Sequence, residues 1–326
     1  MQLADRHGRV ATDLRVSLTD RCNLRCEYCM PAEGLDWIPD GQTLTDDEVI
    51  RLIRIGVELL GIEEVRFTGG EPLLRRGLAG IVAATHALGV PTALTTNGLG
   101  LEHTAGALAK AGLDRINVSL DTVDPATFAQ ITRRDRMGDV QAGLRAAVAA
   151  GIGPVKVNAV LLRDVNDHQA ADLLDWCMDQ DYQLRFIEQM PLDAQHGWHR
   201  GEMITADEII TRLEKEFRLT ALDGRGSSPA EHFLVDDGPH IVGIIGSVTR
   251  PFCGDCDRVR LTADGQVRNC LFARDESDLQ SALRAGASDA DLAERWMIAM
   301  ASKLPGHGID DPTFLQPSRP MSAIGG

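Results

Sequence analysis

Histidine is absent between His7 and His86, lysine occurs only at Lys110, Lys156, Lys215 and Lys303, and aromatic residues make up 4% of the chain. The histidine gap leaves the cysteines at 22 to 29 without an imidazole nearby, so a local, closed zinc site of mixed ligands is unsupported. No stretch of about 18 apolar residues occurs. The first residues, "MQLADRHGRV", lack a basic start followed by an apolar run, and the chain reads as a soluble, cytoplasmic protein. The shortage of aromatics does not exclude a core. With 326 residues, 44% of them apolar, the chain can bury one large domain, or one domain and a smaller appendage. Low-complexity segments are missing too. Positive charge is in deficit, at a formal −15; the resulting field disfavours nucleic acid and anionic membranes as partners. A local basic pocket remains compatible with it. Because lysine is so scarce, one inside a strand, Lys156, stands out.

What is present is cysteine in an organised pattern. A cytosolic setting keeps thiols reduced, which argues against disulfides. Six of the seven cysteines form two triplets, Cys22/Cys26/Cys29 and Cys253/Cys256/Cys270. The seventh, Cys177 in "DLLDWCMDQ", reads as a buried thiol on a helix.

Short β-branched runs alternate with helical patterns. The strand candidates are 14–19, 64–69, 91–97, 115–121, 155–162 and 183–190. The clearest helix, "TDDEVIRLIRIGVELLG", has Thr45 and Glu48 as a capping box and Gly61 as its end. Such alternation implies a parallel sheet with right-handed crossovers. Six units are too few to close an eight-stranded barrel, so the expected class is α/β, a partial, open-sided (βα)6 barrel; a doubly wound sheet is the alternative. Polar residues recur two apart in four strands: Arg15/Ser17, Arg66/Thr68, Asn117/Ser119 and Lys156/Asn158. A side-chain period of two puts each pair on one face, and the recurrence suggests a polar, anion-binding lumen. Past about residue 220 the pattern changes. "LDGRGSSPAEH" reads as a flexible loop, followed by short strands, the second triplet, two helices and a Pro- and Gly-rich tail. The expected division is residues 1–220 as the barrel and 221–326 as a smaller α+β appendage lying across its open side.

"CNLRCEYC" places three thiols in one loop after the first strand, at the rim where such folds bind ligands. A four-iron four-sulfur cluster held by three cysteines leaves one iron open. C-x3-C-x-Y-C resembles the signature of the radical S-adenosylmethionine (SAM) enzymes, and "FTGGEP" after the second strand resembles their glycine-rich motif. That resemblance implies that the open iron chelates SAM, and that reductive cleavage yields a 5′-deoxyadenosyl radical kept dry in the lumen.

"FCGDCDRVRLTADGQVRNCLF" again offers three thiols without a fourth ligand. Alone it reads as half of a zinc ribbon; beside a radical SAM core it reads as a second, auxiliary cluster. Arg258 and Arg260, two apart, point the same way, and guanidinium groups bind phosphate bidentately. With Arg15, Arg66 and Lys156 they match a triphosphate. Over nearly the full length the chain resembles the GTP 3′,8-cyclase family of molybdenum-cofactor biosynthesis, through "DLRVSLTDRCNLRCEYCMP", "VRFTGGEPLLRR", "LTTNG", "RINVSLDT", "VKVNAV", "RFIEQM", "FCGDCDRVRLTADG" and the Gly-Gly at the end. The resemblance implies two 4Fe-4S clusters, on Cys22/Cys26/Cys29 and Cys253/Cys256/Cys270. It implies SAM contacts at Tyr28, Gly70, Ser119 and Met190, and GTP contacts at Arg15, Arg66, Thr95, Lys156, Arg258, Val259 and Arg260. Catalytic roles fall to Arg258, Arg260, Gly325 and Gly326, the glycines promoting radical initiation within the site. The implied reaction removes hydrogen from C3′ of GTP, joins that carbon to guanine C8 and gives 3′,8-cyclo-7,8-dihydro-GTP. Implied partners are an electron donor and the next enzyme, cyclic pyranopterin monophosphate synthase, with the chain itself a homodimer. One departure is Asp257, where the family often has Asn; a carboxylate there stands to weaken nucleotide binding unless it is turned away. The competing readings are a peptide-modifying radical SAM enzyme with an auxiliary cluster, and a zinc-stabilised interaction protein.

Overall fold

The structure, a computed structural model, describes residues 1–325. Six strands form the core sheet: β1 (Asp13–Ser17), β2 (Glu64–Thr68), β3 (Thr92–Thr96), β4 (Arg115–Ser119), β5 (Val155–Val160) and β6 (Gln183–Ile187). Each runs parallel to the next, with Arg15 opposite Arg66 and Asn117 opposite Lys156. Six of the helices follow as crossovers: α1 (Asp46–Leu60), α2 (Leu78–His86), α3 (Leu101–Lys110), α4 (Pro125–Thr132), α5 (Met137–Ala149) and α6 (Ala170–Asp179). The expected signals act as read. Thr45 and Glu48 close a reciprocal capping box on α1, and Gly61 ends it with φ at +78°, a conformation that costs glycine nothing.

The period of two divides the sheet's faces. Leu14, Val16, Val65, Phe67, Ile116, Val118, Val157, Leu184 and Phe186 are fully buried and face the helices; truncating Phe67 to Ala would cost about 3–5 kcal/mol. The alternate positions, Arg15, Arg66, Asn117, Ser119, Lys156 and Asn158, face a cavity. That is the polar lumen the pattern anticipates.

The C-terminal part differs from the expectation. After α7 (Ala206–Leu213) come β7 (Leu219–Leu222), β8 (Glu231–Val235), β9 (Ile241–Ile245), β10 (Arg258–Leu261), β11 (Gln266–Arg268) and β12 (Ser277–Asp278). These do not form a separate layer across the open side. They extend the same sheet at both edges, in the order β12-β11-β10-β1-β2-β3-β4-β5-β6-β9-β8-β7. β9 lies parallel to β6 and β10 parallel to β1, because the bare ladders of both edge strands need partners. The division drawn near residue 220 falls inside β7. Three helices complete the chain, α8 (Gln280–Arg284), α9 (Asp289–Ala301) and α10 (Met321–Ile324). Among the described residues, no helix is long and apolar enough to cross a membrane.

The loop read as flexible is tied down. Arg225 donates to Pro229 O at 2.7 Å, to Arg250 O at 3.0 Å and to Glu231 Oε1 at 3.0 Å. Those bonds put Arg225, Ser227 and Ser228 on the cavity wall. A run of Gly and Ser permits flexibility, but one half-buried guanidinium with several acceptors overrides it.

Candidate active site

The inward face of the sheet encloses a cavity of about 840 Å³. Its floor at one end is the loop after β1. Arg25 N and Glu27 N donate to Thr132 O and Ile131 O at the end of α4, each at 3.0 Å, and Cys29 N donates to Cys26 O at 2.9 Å. The thiols of Cys22, Cys26 and Cys29 all line the cavity. Burial pushes all three up, Cys29 to about 12 and Cys26 well above its ordinary value, and each thiol is raised by its neighbours in the triplet or by a nearby carboxylate. Such thiols stay protonated until a metal centre displaces the proton.

The glycines of "FTGGEP" have a use the sequence reading did not assign. A Cβ on Gly69 would collide with Thr19 O, and one on Gly70 with Arg21 O. Gly70 N and Glu71 N donate to those same carbonyls at 2.7 Å. The two motifs, about 40 residues apart in sequence, are thus joined backbone to backbone, and glycine is required for the approach. Glu71 is fully buried. Burial lifts its carboxyl to about 7 although Asn97 N, Leu73 N and the Thr96 hydroxyl donate to it.

The middle of the cavity is cationic. Arg15, Arg66, Lys156, Arg185, Arg258 and Arg260 converge there. Burial, then mutual repulsion, lowers Arg66 and Arg260 to about 10, Arg185 to about 9 and Lys156 to about 8. Asp13 is the internal counter-charge. Burial alone would raise its carboxyl, but Arg15, Arg258 and Arg66 hold it at about 2, with Arg15 Nη2 at 3.1 Å. This does not satisfy the donors: Arg15 Nε, Arg66 Nε and Nη1, Arg258 Nε and Nη1, and Arg260 Nε are buried without a hydrogen-bond partner. Unpaired buried donors are costly, and a multiply charged anion satisfies them.

At the far end, Cys253, Cys256 and Cys270 surround a smaller hollow of about 70 Å³ with Phe272 and His307. Arg258, Arg260, Met190 and Leu271 line both spaces, so the two are contiguous. Burial raises the Cys253 thiol. Cys256 is the exception: burial opposes ionisation, but Lys303, then the Arg258 backbone N–H and the Arg258 and Arg260 guanidinium groups, hold it below its ordinary value. Among the described residues, no three His, Cys, Asp or Glu groups gather tightly enough for a single metal ion. Three soft thiols per site are the donor set of an iron-sulfur cluster, which spreads its anchors over several atoms.

The C-terminal segment enters this space. Met321 N donates to Leu192 O at 2.9 Å and Ser17 Oγ donates to Ile324 O at 2.6 Å. Gly325 has φ at +83°. A Cβ there would strike Ser17 Oγ and lie 2.7 Å from Thr68 Cγ2. Gly326 lies outside the described residues.

Residues 16–177 match the model of the Radical SAM superfamily, and residues 182–309 that of Molybdenum Cofactor Synthesis C. A GTP 3′,8-cyclase of Streptomyces coelicolor is 64% identical over 328 residues, covering 99% of this chain and 96% of that protein. The chain belongs to the GTP 3′,8-cyclase family. Cyclases of Mycobacterium sp. (strain KMS) and Corynebacterium glutamicum are 62% and 59% identical, each over 99% of this chain and over 93% and 89% of theirs. Streptococcus suis SuiB bound to S-adenosylmethionine shares the fold, with a TM-score of 0.61 at 15% identity over 93% of this chain and 68% of that one.

For this cyclase-family chain, the structure brings Tyr28, Gly70, Ser119, Met190, Arg15, Arg66, Thr95, Lys156, Arg258 and Arg260 to one cavity wall. Val259 needs correction as a side-chain contact. It occupies the opposite face of β10, fully buried in the core, as the alternation of a strand requires. Asp257 lines the cavity with its Oδ1 buried and unpartnered, 3.9 Å from Arg258 Nη2; it is not turned away. Sequence reasoning missed Arg185, although it lies between Leu184 and Phe186 in the same polar alternation. It also missed Asp121, which accepts from Tyr28 Oη at 2.9 Å and Val160 N at 2.8 Å and whose carboxyl burial lifts to about 6 despite both bonds.

Proposed function

We propose that this chain converts GTP to 3′,8-cyclo-7,8-dihydro-GTP, the first step of molybdenum-cofactor biosynthesis, with SAM and two 4Fe-4S clusters as cofactors. The observation that carries this reading is the set of unpartnered guanidinium N–H groups in a cavity lined by one cysteine triplet and adjoining, through Arg258 and Arg260, the hollow lined by the other. A triphosphate supplies the acceptors those donors lack, at about 1.5–3 kcal/mol per charge-assisted bond. A globally acidic surface around a cationic lumen favours a small anion over a polymer.

Cys22, Cys26 and Cys29 would hold the first cluster and Cys253, Cys256 and Cys270 the second. The first, when bound, supplies the electron that cleaves SAM to a 5′-deoxyadenosyl radical. Tyr28, Gly70, Ser119 and Met190 line the end where SAM would lie, and Asp121 fixes the Tyr28 ring through its hydroxyl. Arg15, Arg66, Lys156 and Arg185 bind the phosphates from the strands, with Thr95 beside them. Arg258 and Arg260 orient the nucleotide against the second triplet. Ser17 holds the Ile324 carbonyl, so that Gly325 closes the cavity near Gly69 and excludes water, and Gly326 after it shares its assigned role in radical initiation. Residues 1–220 carry the first triplet and 221–326 the second, as two functional parts of one continuous sheet. The protein works in the cytoplasm as a homodimer, receives electrons from a donor protein and passes product to cyclic pyranopterin monophosphate synthase.

Anaerobic reconstitution, followed by SAM, GTP and a strong reductant, tests this by mass spectrometry. The expected outcome is 5′-deoxyadenosine together with a cyclised nucleotide, from protein holding about eight iron per chain. Deoxyadenosine with unchanged GTP discards the substrate, and zinc in place of iron discards the chemistry.

A further inference from the structure

Lys303 is the one buried lysine among the described residues, with 4% of its surface exposed. An ammonium carries three N–H donors, and Nζ has three acceptors: Cys256 O at 3.2 Å, Cys256 Sγ at 3.4 Å and Arg258 O at 3.0 Å. Two belong to Cys256 of the second triplet and the third to Arg258, the first residue of β10, and none is a carboxylate. The lysine's own position is fixed twice over. Asn269, next to Cys270, donates to Ala299 O at 2.8 Å and Ser302 Oγ at 3.0 Å at the end of α9. Arg9 donates to Leu304 O at 2.6 Å, to Pro305 O at 3.0 Å and to Cys253 O at 2.6 Å. Unlike Arg258 and Arg260, Lys303 does not line the large cavity. Its three bonds run to protein atoms and need no nucleotide.

Reduction adds one negative charge to an iron-sulfur cluster, and hydrogen bonds to its sulfurs and the net charge around it set its potential. A fixed cation bonded to a ligating sulfur stabilises the reduced form more than the oxidised form. We propose that Lys303 raises the reduction potential of the second cluster, as a buried ammonium hydrogen-bonded to the sulfur of Cys256. This rests on reading the second triplet as a cluster anchor, and the test needs neither SAM nor GTP.

In holoenzyme carrying both clusters, a potentiometric titration followed by electron paramagnetic resonance gives two reduction waves. The wave missing from the Cys253→Ala/Cys256→Ala/Cys270→Ala variant belongs to the second cluster; if none is missing, the anchor reading fails and the proposal with it. Lys303→Met is expected to shift that wave to lower potential at unchanged iron content and to leave the other wave in place. Lys303→Gln, which keeps a donor without charge, should shift it less, and Lys303→Arg should leave it near its original position. An unshifted wave in Lys303→Met overturns the proposal, as does a Lys303→Arg variant that behaves like Lys303→Met. If the neutral variants shed iron while Lys303→Arg keeps it, the charge is supported. If all three shed it, the site demands lysine's fit and not its charge, and the proposal is overturned.

Discussion

Arg260→Met separates ligand binding from folding, because the two respond with opposite sign. The guanidinium is 6% exposed and its Nε has no partner. Removing one charge-assisted bond to phosphate costs about 1.5–3 kcal/mol, so the GTP dissociation constant should rise about 10- to 100-fold. In the nucleotide-free protein the same group is a burden. Burial and then Arg15 lower its pKa from 12.5 to about 10, which corresponds to about 3–4 kcal/mol at about 1.4 kcal/mol per unit. The folded value lies below the unfolded one, so folding disfavours the cation. That penalty is complete below the folded pKa and fades as pH rises from there towards the unfolded value. At neutral pH the methionine variant escapes it and adds an apolar side chain where the lumen has room. Nucleotide affinity by anaerobic calorimetry, and thermal melting without nucleotide, should therefore move apart: weaker GTP binding with equal or higher stability. Iron content and SAM affinity serve as controls. An unchanged GTP affinity, or a melting temperature that falls along with affinity, refutes the reasoning and makes Arg260 a structural residue.

Gly325→Ala forces a Cβ against Ser17 Oγ and Thr68 Cγ2 at a positive φ; cyclisation should slow at least about tenfold, near 1.4 kcal/mol, with GTP affinity kept, and deletion of Gly325 and Gly326 with undiminished turnover would end their assigned role. Lys156, lowered to about 8 first by burial and then by Arg185 and Arg66, is charged below that pH and neutral above it. GTP binding should accordingly weaken as pH rises through this value in the wild type but not in Lys156→Arg, and identical profiles would contradict the assignment. Asp257→Asn removes a negative charge from the cavity wall beside Arg258 and should tighten GTP binding severalfold, about 1 kcal/mol; no change in affinity would mean that its repulsion is already screened.

Local signals carried most of what the sequence disclosed. The six core strands, the α1 capping box and the lumen-facing pairs depend on residues within a few positions of each other, where periodicity and capping chemistry act. Both cysteine triplets were legible because their thiols lie close together in the sequence. What escaped depends on distant contacts. Nothing within "RVRL" indicates that β10 pairs with β1, more than 200 residues earlier. Lys303 was visible only as a scarce residue type, because its acceptors lie in another loop. Arg225 sat in a run whose Gly and Ser content advertised mobility, yet it is fixed by Pro229 and Glu231 within that run and by Arg250 beyond it. Val259 entered the nucleotide set by extending a motif across a strand that turns alternate side chains to opposite faces, and its side chain lies in the core.

The pairing of β9 with β6 and of β10 with β1 has a consequence for biosynthesis. One short stretch, residues 241–261, supplies the outer neighbour on both flanks, so a nascent polypeptide exposes two uncovered ladders until its final quarter leaves the ribosome. Completion of the twelve-stranded sheet is thus a late closing step.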